Sequence, residues 1–263
     1  MKLKTSSTLV LSLLFVGTAT MAQTTAPAPD YTLSYNAGVV SDYRIRGLSQ
    51  TTFKPALQAG VDFAHKSGFY LGAWGSNVNW IKDYVGNAAT PAVATKGSLE
   101  VDLYAGYKGS ITKDLAFDLG VITYQYPGNT ASKVTVDANT TEIYGALTYG
   151  IVTAKYSQST GNSVANPNSA GSKYFEVAAN IDLGNGFTLI PHAGRQTIPN
   201  VTAPQPDAGD YTDYSLTLSK DFGNGLSASL SAIGTNAKDG FYKVGGFDNL
   251  GKSTAVVGLK YSF

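Results

Sequence analysis

The connections between the alternating segments of this chain come in two lengths, and the two lengths alternate strictly. Very short ones fall at 66–68, 112–114, 149–151, 184–186 and 223–225, and longer polar stretches lie near 47–54, 81–97, 128–140, 158–172, 197–210 and 235–252. In an antiparallel meander this sends every short turn to one end and every long loop to the other. A soluble sandwich meets the same water at both ends and has no reason to keep such a rule. The rule therefore predicts an all-β fold, a transmembrane antiparallel up-and-down β-barrel with an even number of strands.

The connections partition about twelve strands, near 31–46, 55–65, 69–80, 98–111, 115–127, 141–149, 151–158, 173–183, 187–197, 211–222, 226–235 and 252–263. Within them the side chains alternate with period two. Leu99, Val101, Leu103, Ala105 and Tyr107 oppose Glu100, Asp102, Tyr104, Gly106 and Lys108, and Ala255, Val257, Leu259, Tyr261 and Phe263 oppose Val256, Gly258, Lys260 and Ser262. Such alternation belongs to strands with one apolar face. Segments of ~9–11 residues are long enough to cross hydrocarbon when tilted.

Composition agrees with this class. The chain carries 29 Gly, 17 Tyr and 11 Phe but only 14% charged residues. It has no cysteine, which excludes a disulfide scaffold and a thiolate metal site and suits passage through an oxidising compartment. Met1-Lys2-Leu3-Lys4, the apolar run Leu9 to Val16 and the small-residue pattern before Gln23 read as a secretory signal peptide over 1–22, followed by a Pro/Ala/Thr linker over 23–30. The barrel then occupies 31–263. Removing Lys2 and Lys4 leaves 17 basic against 18 acidic residues, so no basic field is present to recruit nucleic acid.

Aromatic residues are expected to form two belts at headgroup level. Phe63, Phe69, Tyr107, Phe187, Phe222, Tyr261 and Phe263 fall near the short-turn end, and Tyr43, Trp80, Tyr124, Tyr174, Phe175, Tyr211 and Tyr214 near the long-loop end. The ending Gly258-Leu259-Lys260-Tyr261-Ser262-Phe263 is similar to the C-terminal signal that bacterial outer-membrane barrels present to the insertion machinery, here through Tyr261 and Phe263. A last strand that closes on the first leaves no edge exposed to lipid.

Three early stretches, Val40 to Gln50, Pro55 to His65 and Ser67 to Asn77, together with Glu100 to Tyr107 and the C-terminal ending, resemble the TorF family of porin-like bacterial proteins. That family often carries Phe and Ile where Ile45 and Leu48 stand here. The resemblance implies an outer-membrane location and a barrel embedded in outer-membrane lipid, and says less about activity.

Eight strands make a barrel filled by its own side chains, and 16 to 18 leave an aqueous channel; twelve lies between. The inward parity collects Thr32, Ser34, Asn36, Gly38, Gln58, Gly60, Asp118, Gly120, Ser227, Ser229 and Gly258, a lining that favours water. The expected function is a porin-like channel for passive diffusion of small polar or charged solutes. The alternative is a binding, adhesive or structural barrel with a plugged lumen, carried by its long loops.

Strand 1, extended to Arg46, would lift Arg44 and Arg46 to the external mouth, with Asp42, Arg44 and Arg46 facing the lumen as pore-lining residues and Tyr43 and Ile45 toward lipid. There Arg44, Arg46, Lys54 and Lys252 would form a basic arc facing an acidic arc of Glu100, Asp102, Glu142 and Glu176, and opposed rings of this kind set selectivity. Local pairing of these bases with Asp42 and similar acids is the alternative.

Catalysis has little support. Only His65 and His192 are available as a base; His65 has outward parity, and a lumen position suits His192. Gly184-Asn185-Gly186 and Gly223-Asn224-Gly225 read as turns rather than phosphate loops. No calcium-loop spacing appears, and no cofactor is implied.

Overall fold

The structure is a computed structural model and describes residues 29–88, 92–201 and 207–263. The expected signal peptide and most of the linker lie outside the described residues. Twelve strands form the wall: β1 (Tyr31–Val40), β2 (Ala56–His65), β3 (Phe69–Asn77), β4 (Leu99–Ser110), β5 (Leu115–Gln125), β6 (Thr140–Tyr149), β7 (Val152–Ser159), β8 (Lys173–Ala179, resuming after Asn180 as Ile181–Gly184), β9 (Phe187–Thr197), β10 (Tyr211–Gly223), β11 (Leu226–Thr235) and β12 (Thr254–Ser262).

Each strand pairs antiparallel with its sequence neighbours, and β12 closes on β1 in the register Asn36↔Ser262 to Val40↔Gly258. Backbone hydrogen bonds between Tyr35 and Phe263, 2.8 and 2.9 Å, extend that seam to the last residue. The wall is thus a closed antiparallel barrel without a free edge. Asn185-Gly186 and Asn224-Gly225 make two of the tight turns, with positive φ at both residues of each, as two-residue hairpin turns require.

The outer surface is apolar. Leu33, Leu57, Leu71, Leu103, Leu119, Ile143, Leu147, Leu216, Leu230 and Val257 are all exposed on it. Near the short turns this band ends in a ring of exposed aromatics, including Tyr31, Tyr35, Phe69, Tyr107, Phe222, Tyr261 and Phe263, several of them stacked in pairs. Contiguous apolar surface of this extent marks a surface that meets something other than water.

The inner face alternates with the outer one and combines tyrosines with glycines. A Cβ added at Gly72 would meet the Tyr104 ring at 2.4 Å, and one at Gly120 would meet the Tyr144 ring at 2.5 Å. Gly72 pairs with Tyr104 and Gly120 with Tyr144 across adjacent strands, so each ring lies flat over the neighbouring strand's backbone. This is a way for a narrow barrel to accommodate rings inside, and it accounts for the joint abundance of Gly and Tyr.

The wall differs from expectation at the end of its first strand and at the upper aromatic belt. Strand β1 ends at Val40, not at residue 46. The expected aromatic belt at the long-loop end is not a belt: Tyr43, Trp80, Tyr174 and Tyr211 are buried, Tyr124 packs inward, and Phe175 and Tyr214 are the exposed members. Tyr124, Tyr174 and Tyr211 share the inward parity of Ile122, Glu176 and Asp213 in their own strands, and that parity decides where they point.

Candidate functional site

After Val40 the chain turns into the barrel. Ser41 anchors the turn on β12, its N–H donating to the Val257 carbonyl at 2.9 Å and its hydroxyl accepting from the Val257 N–H at 3.0 Å. Arg44–Ile45 then pairs with Leu48–Ser49 as a miniature antiparallel hairpin inside the lumen. Asp42 braces its base: Arg44 Nε donates to Oδ2 at 2.7 Å and the Ser49 hydroxyl to Oδ1 at 2.6 Å. Arg44 Nη1 also donates to the carbonyls of Gly47 and Lys252, at 2.8 and 2.9 Å.

Arg46-Gly47 is the hairpin's two-residue turn, with φ of +49° and +78°. Positive φ at both positions is what such a turn demands, and it is unfavourable for an arginine. Gly47 is also required by space: a Cβ there would come within 2.5 Å of the Thr235 side chain and 2.9 Å of Asp213. The tip therefore reaches the tops of β10 and β11, three and two strands round the wall from its origin at β1.

From that tip Arg46 spreads over the opposite wall. Nη1 donates to Glu142 Oε1 at 2.9 Å and Nη2 to Glu142 Oε2 at 2.6 Å, a bidentate pair, while Nη1 also donates to Gln196 Oε1 at 2.9 Å. The guanidinium carbon lies 4.3 Å from the centre of the Tyr174 ring. Burial disfavours the charge on Arg46, and Glu142 more than offsets it, so its pKa lies above the ordinary value. A strained, non-glycine turn residue held by three wall side chains is the kind of backbone outlier that clusters at functional sites.

At the other end of the hairpin, the Tyr43 hydroxyl donates to Glu100 Oε1 at 2.5 Å and its ring packs against Trp74. Burial, and then the charges of Glu100 and Asp102, raise the Tyr43 pKa well above its ordinary value, so the hydroxyl stays a donor. The following loops rest on top. The N–H groups of Asn79 and Trp80 donate to the Gln50 carbonyl, and Trp80, Ile81, Val85 and Tyr126 join Tyr43 in an apolar cluster that covers this side of the mouth.

Beside the Arg46 contact lies a second polar cluster. His192 Nε2 is 3.0 Å from Glu176 Oε2, its Nδ1 is 3.5 Å from Asp213 Oδ1, and the Tyr174 hydroxyl donates to Asp213 at 3.0 Å. Deeper in the lumen, the Tyr70 hydroxyl donates to Asp118 at 2.6 Å and Lys155 Nζ sits 4.3 Å over the Tyr144 ring. One cavity lies to the side of the hairpin. It follows the small-residue sector of β10, β11, β12, β1 and β2, lined by Ser219, Ser229, Gly258, Gly38, Asn36 and Gln58, with Lys260 among its walls.

The four acids singled out from sequence, Glu100, Asp102, Glu142 and Glu176, are all buried on the inner wall. The four bases do not form the expected arc. Lys54 and Lys252 have side chains 59% and 60% exposed and pair with Asp83 and Asp248 among the loops. Arg44 faces Asp42 and backbone carbonyls, while Arg46 alone crosses to the acids. Tyr43 and Ile45 turn inward, not to the outside. Asp213, Gln196 and Tyr174 complete the site without having been singled out for it; their inward parity in strands 173–183, 187–197 and 211–222 is the signal that finds them.

A family model described as a bacterial protein of unknown function (Gcw_chp) matches residues 23–263. The chain belongs to the Gcw_chp family. No curated protein matches it in sequence. Among solved structures, this Gcw_chp barrel is similar to the NanC porin, with a TM-score of 0.53 and 11% identity over 88% of this chain and 99% of that one. It is similar also to the KdgM porin, with a TM-score of 0.52 and 9% identity over 88% and 98%. A second KdgM structure, in complex with disordered oligogalacturonate, gives a TM-score of 0.52 at 8% identity, over 88% of this chain and 98% of that one. At such identities the likeness is one of fold.

Proposed function

We propose that this chain is an outer-membrane porin that passes small polar or charged solutes, with the first-loop hairpin narrowing its bore. The observation that carries the reading is the inverted distribution of polarity in a closed barrel. Exposed Leu, Ile and Val cover the outside, while Glu, Asp, Arg, Lys, Ser and Asn face in. An apolar band of this kind suits lipid, and a polar interior suits a water-filled path. The KdgM and NanC fold and the TorF resemblance support the same reading. The expected signal peptide and the Tyr261 and Phe263 ending fit export and insertion into the outer membrane of a Gram-negative bacterium.

Asp42, Arg44, Arg46, Glu100, Asp102, Glu142 and Glu176 then form the buried charged layer that sets the field along the path, with Lys54 and Lys252 exposed among the loops. No step of this function requires a catalytic residue or cofactor. A second reading, a barrel plugged for binding or structural duty, is favoured by one feature, the apolar cluster of Tyr43, Trp80, Ile81 and Tyr126 over part of the mouth. Planar bilayers separate the two. Purified, refolded protein gives discrete conductance steps if it is a porin and none if the plug is permanent.

A further inference from the structure

The contacts around Arg46 describe a receptor as much as a brace. A guanidinium is met by two carboxylate oxygens of Glu142, by the amide oxygen of Gln196 and by the face of the Tyr174 ring. Those are the three elements that recognise a planar cation: a bidentate acid, a neutral acceptor and an aromatic face. Glu142 is 2%, Tyr174 3% and Gln196 4% exposed, and they stand on the wall strands β6, β8 and β9. The group that fills their pocket comes instead from a loop, on a turn residue with unfavourable φ.

We infer that the wall carries a binding site for solutes bearing a guanidinium or a primary ammonium group, and that Arg46 occupies it as an internal stand-in until such a solute replaces it. The exchange keeps the buried Glu142 charge paired throughout, which an anion or a neutral solute cannot do. Glu176 and Asp213, next to the pocket, add negative charge that draws the same class of solute. Displacement of Arg46 also releases the tip of the hairpin, so arrival of the solute and widening of the bore are one event. Because Arg46 competes from within the same chain at an effective concentration on the order of millimolar or more, wild type needs roughly tenfold more of the external cation than a pocket without Arg46.

This inference deepens the channel reading and rests on it for its purpose, yet its test is independent of conductance. Full-length protein in detergent is titrated with methylguanidinium chloride against equal ionic strength of NaCl, with tryptophan fluorescence as the readout, since Trp74 touches Tyr43 of the hairpin. Arg46→Ala is expected to bind methylguanidinium saturably with a low-millimolar midpoint, wild type to need about tenfold more, and Arg46→Ala/Glu142→Gln to show no saturable response. A response in Arg46→Ala that is absent, or unchanged by Glu142→Gln, overturns the site. If Arg46→Ala does not refold, Arg46→Lys takes its place, with a midpoint expected between those of wild type and an empty pocket; a midpoint equal to wild type counts against the site. Saturable binding by a protein that never conducts in bilayers leaves the site standing and removes the channel, whereas steady conductance without binding does the reverse.

Discussion

Arg46 and Glu142, at the tip of the first loop and on the far wall of the barrel, are joined by two parallel hydrogen bonds of 2.9 and 2.6 Å. Their side chains are only 13% and 3% exposed, so this is a buried, bidentate ion pair rather than a surface contact. It ties a segment with its own hairpin register to a wall strand with which it shares no backbone pairing.

Removing one partner of such a pair leaves the other charge buried alone and costs about 3–5 kcal/mol. Glu142→Gln is therefore expected to free the hairpin without unfolding the wall. Hydrogen exchange checks this: the amides of Ser49 and Gln50, which donate to Leu250 and Tyr43, lose protection, while those of β10 and β11 keep theirs.

Gly47→Ala tests the tip by sterics instead of charge. The new methyl would stand at φ +78° and collide with Thr235 and Asp213, so the turn cannot seat. Strain in the left-handed region alone costs about 1–2 kcal/mol. The variant should show the same loss of protection as Glu142→Gln, and adding Glu142→Gln to it should add little, because both act on one docking event.

The strands were legible in the sequence because period-two alternation survives in every one of them, and because the Asn-Gly turns punctuate them. The inner hairpin was not. Asp42, Arg44 and Arg46 keep one parity whether the strand continues or folds back inside, so alternation alone does not distinguish the two. The distinguishing feature is the Arg46-Gly47 pair between Ile45 and Leu48, the spacing of a two-residue turn. The upper aromatic belt failed for a related reason. Height along the barrel groups Tyr43, Trp80, Tyr124, Tyr174 and Tyr211, but parity sends Tyr124, Tyr174 and Tyr211 inward, while Tyr43 and Trp80 sit on loops to which strand parity does not apply. Glu100, Asp102, Glu142 and Glu176 were correctly read as facing in, since they lie inside regular strands.

Tyr43→Phe removes the hydroxyl that donates to Glu100, a residue with no exposed surface. An unmet buried acceptor costs about 1–3 kcal/mol. The midpoint of urea unfolding in lipid vesicles should fall, and Glu100→Gln in the same background should recover part of the loss, since a neutral amide is less costly to leave there.

Leu119→Arg tests the outer surface. Leu119 is 57% exposed and sits mid-strand in β5. A soluble barrel would accept arginine at such a position at little cost, but on a lipid face near mid-depth the change costs about 2–4 kcal/mol. Refolding yield into vesicles should drop accordingly, whereas Lys252→Ala, at an exposed loop pair, should leave it unchanged.

A polar lumen, narrowed by the Arg46-tipped hairpin, is proposed to run through the barrel. Single-channel conductance of wild type and Arg46→Ala, recorded side by side in planar bilayers, tests it most directly. Both are expected to give discrete steps, larger in Arg46→Ala because the tip no longer holds the far wall. Silence from both, or steps of equal size, would contradict it.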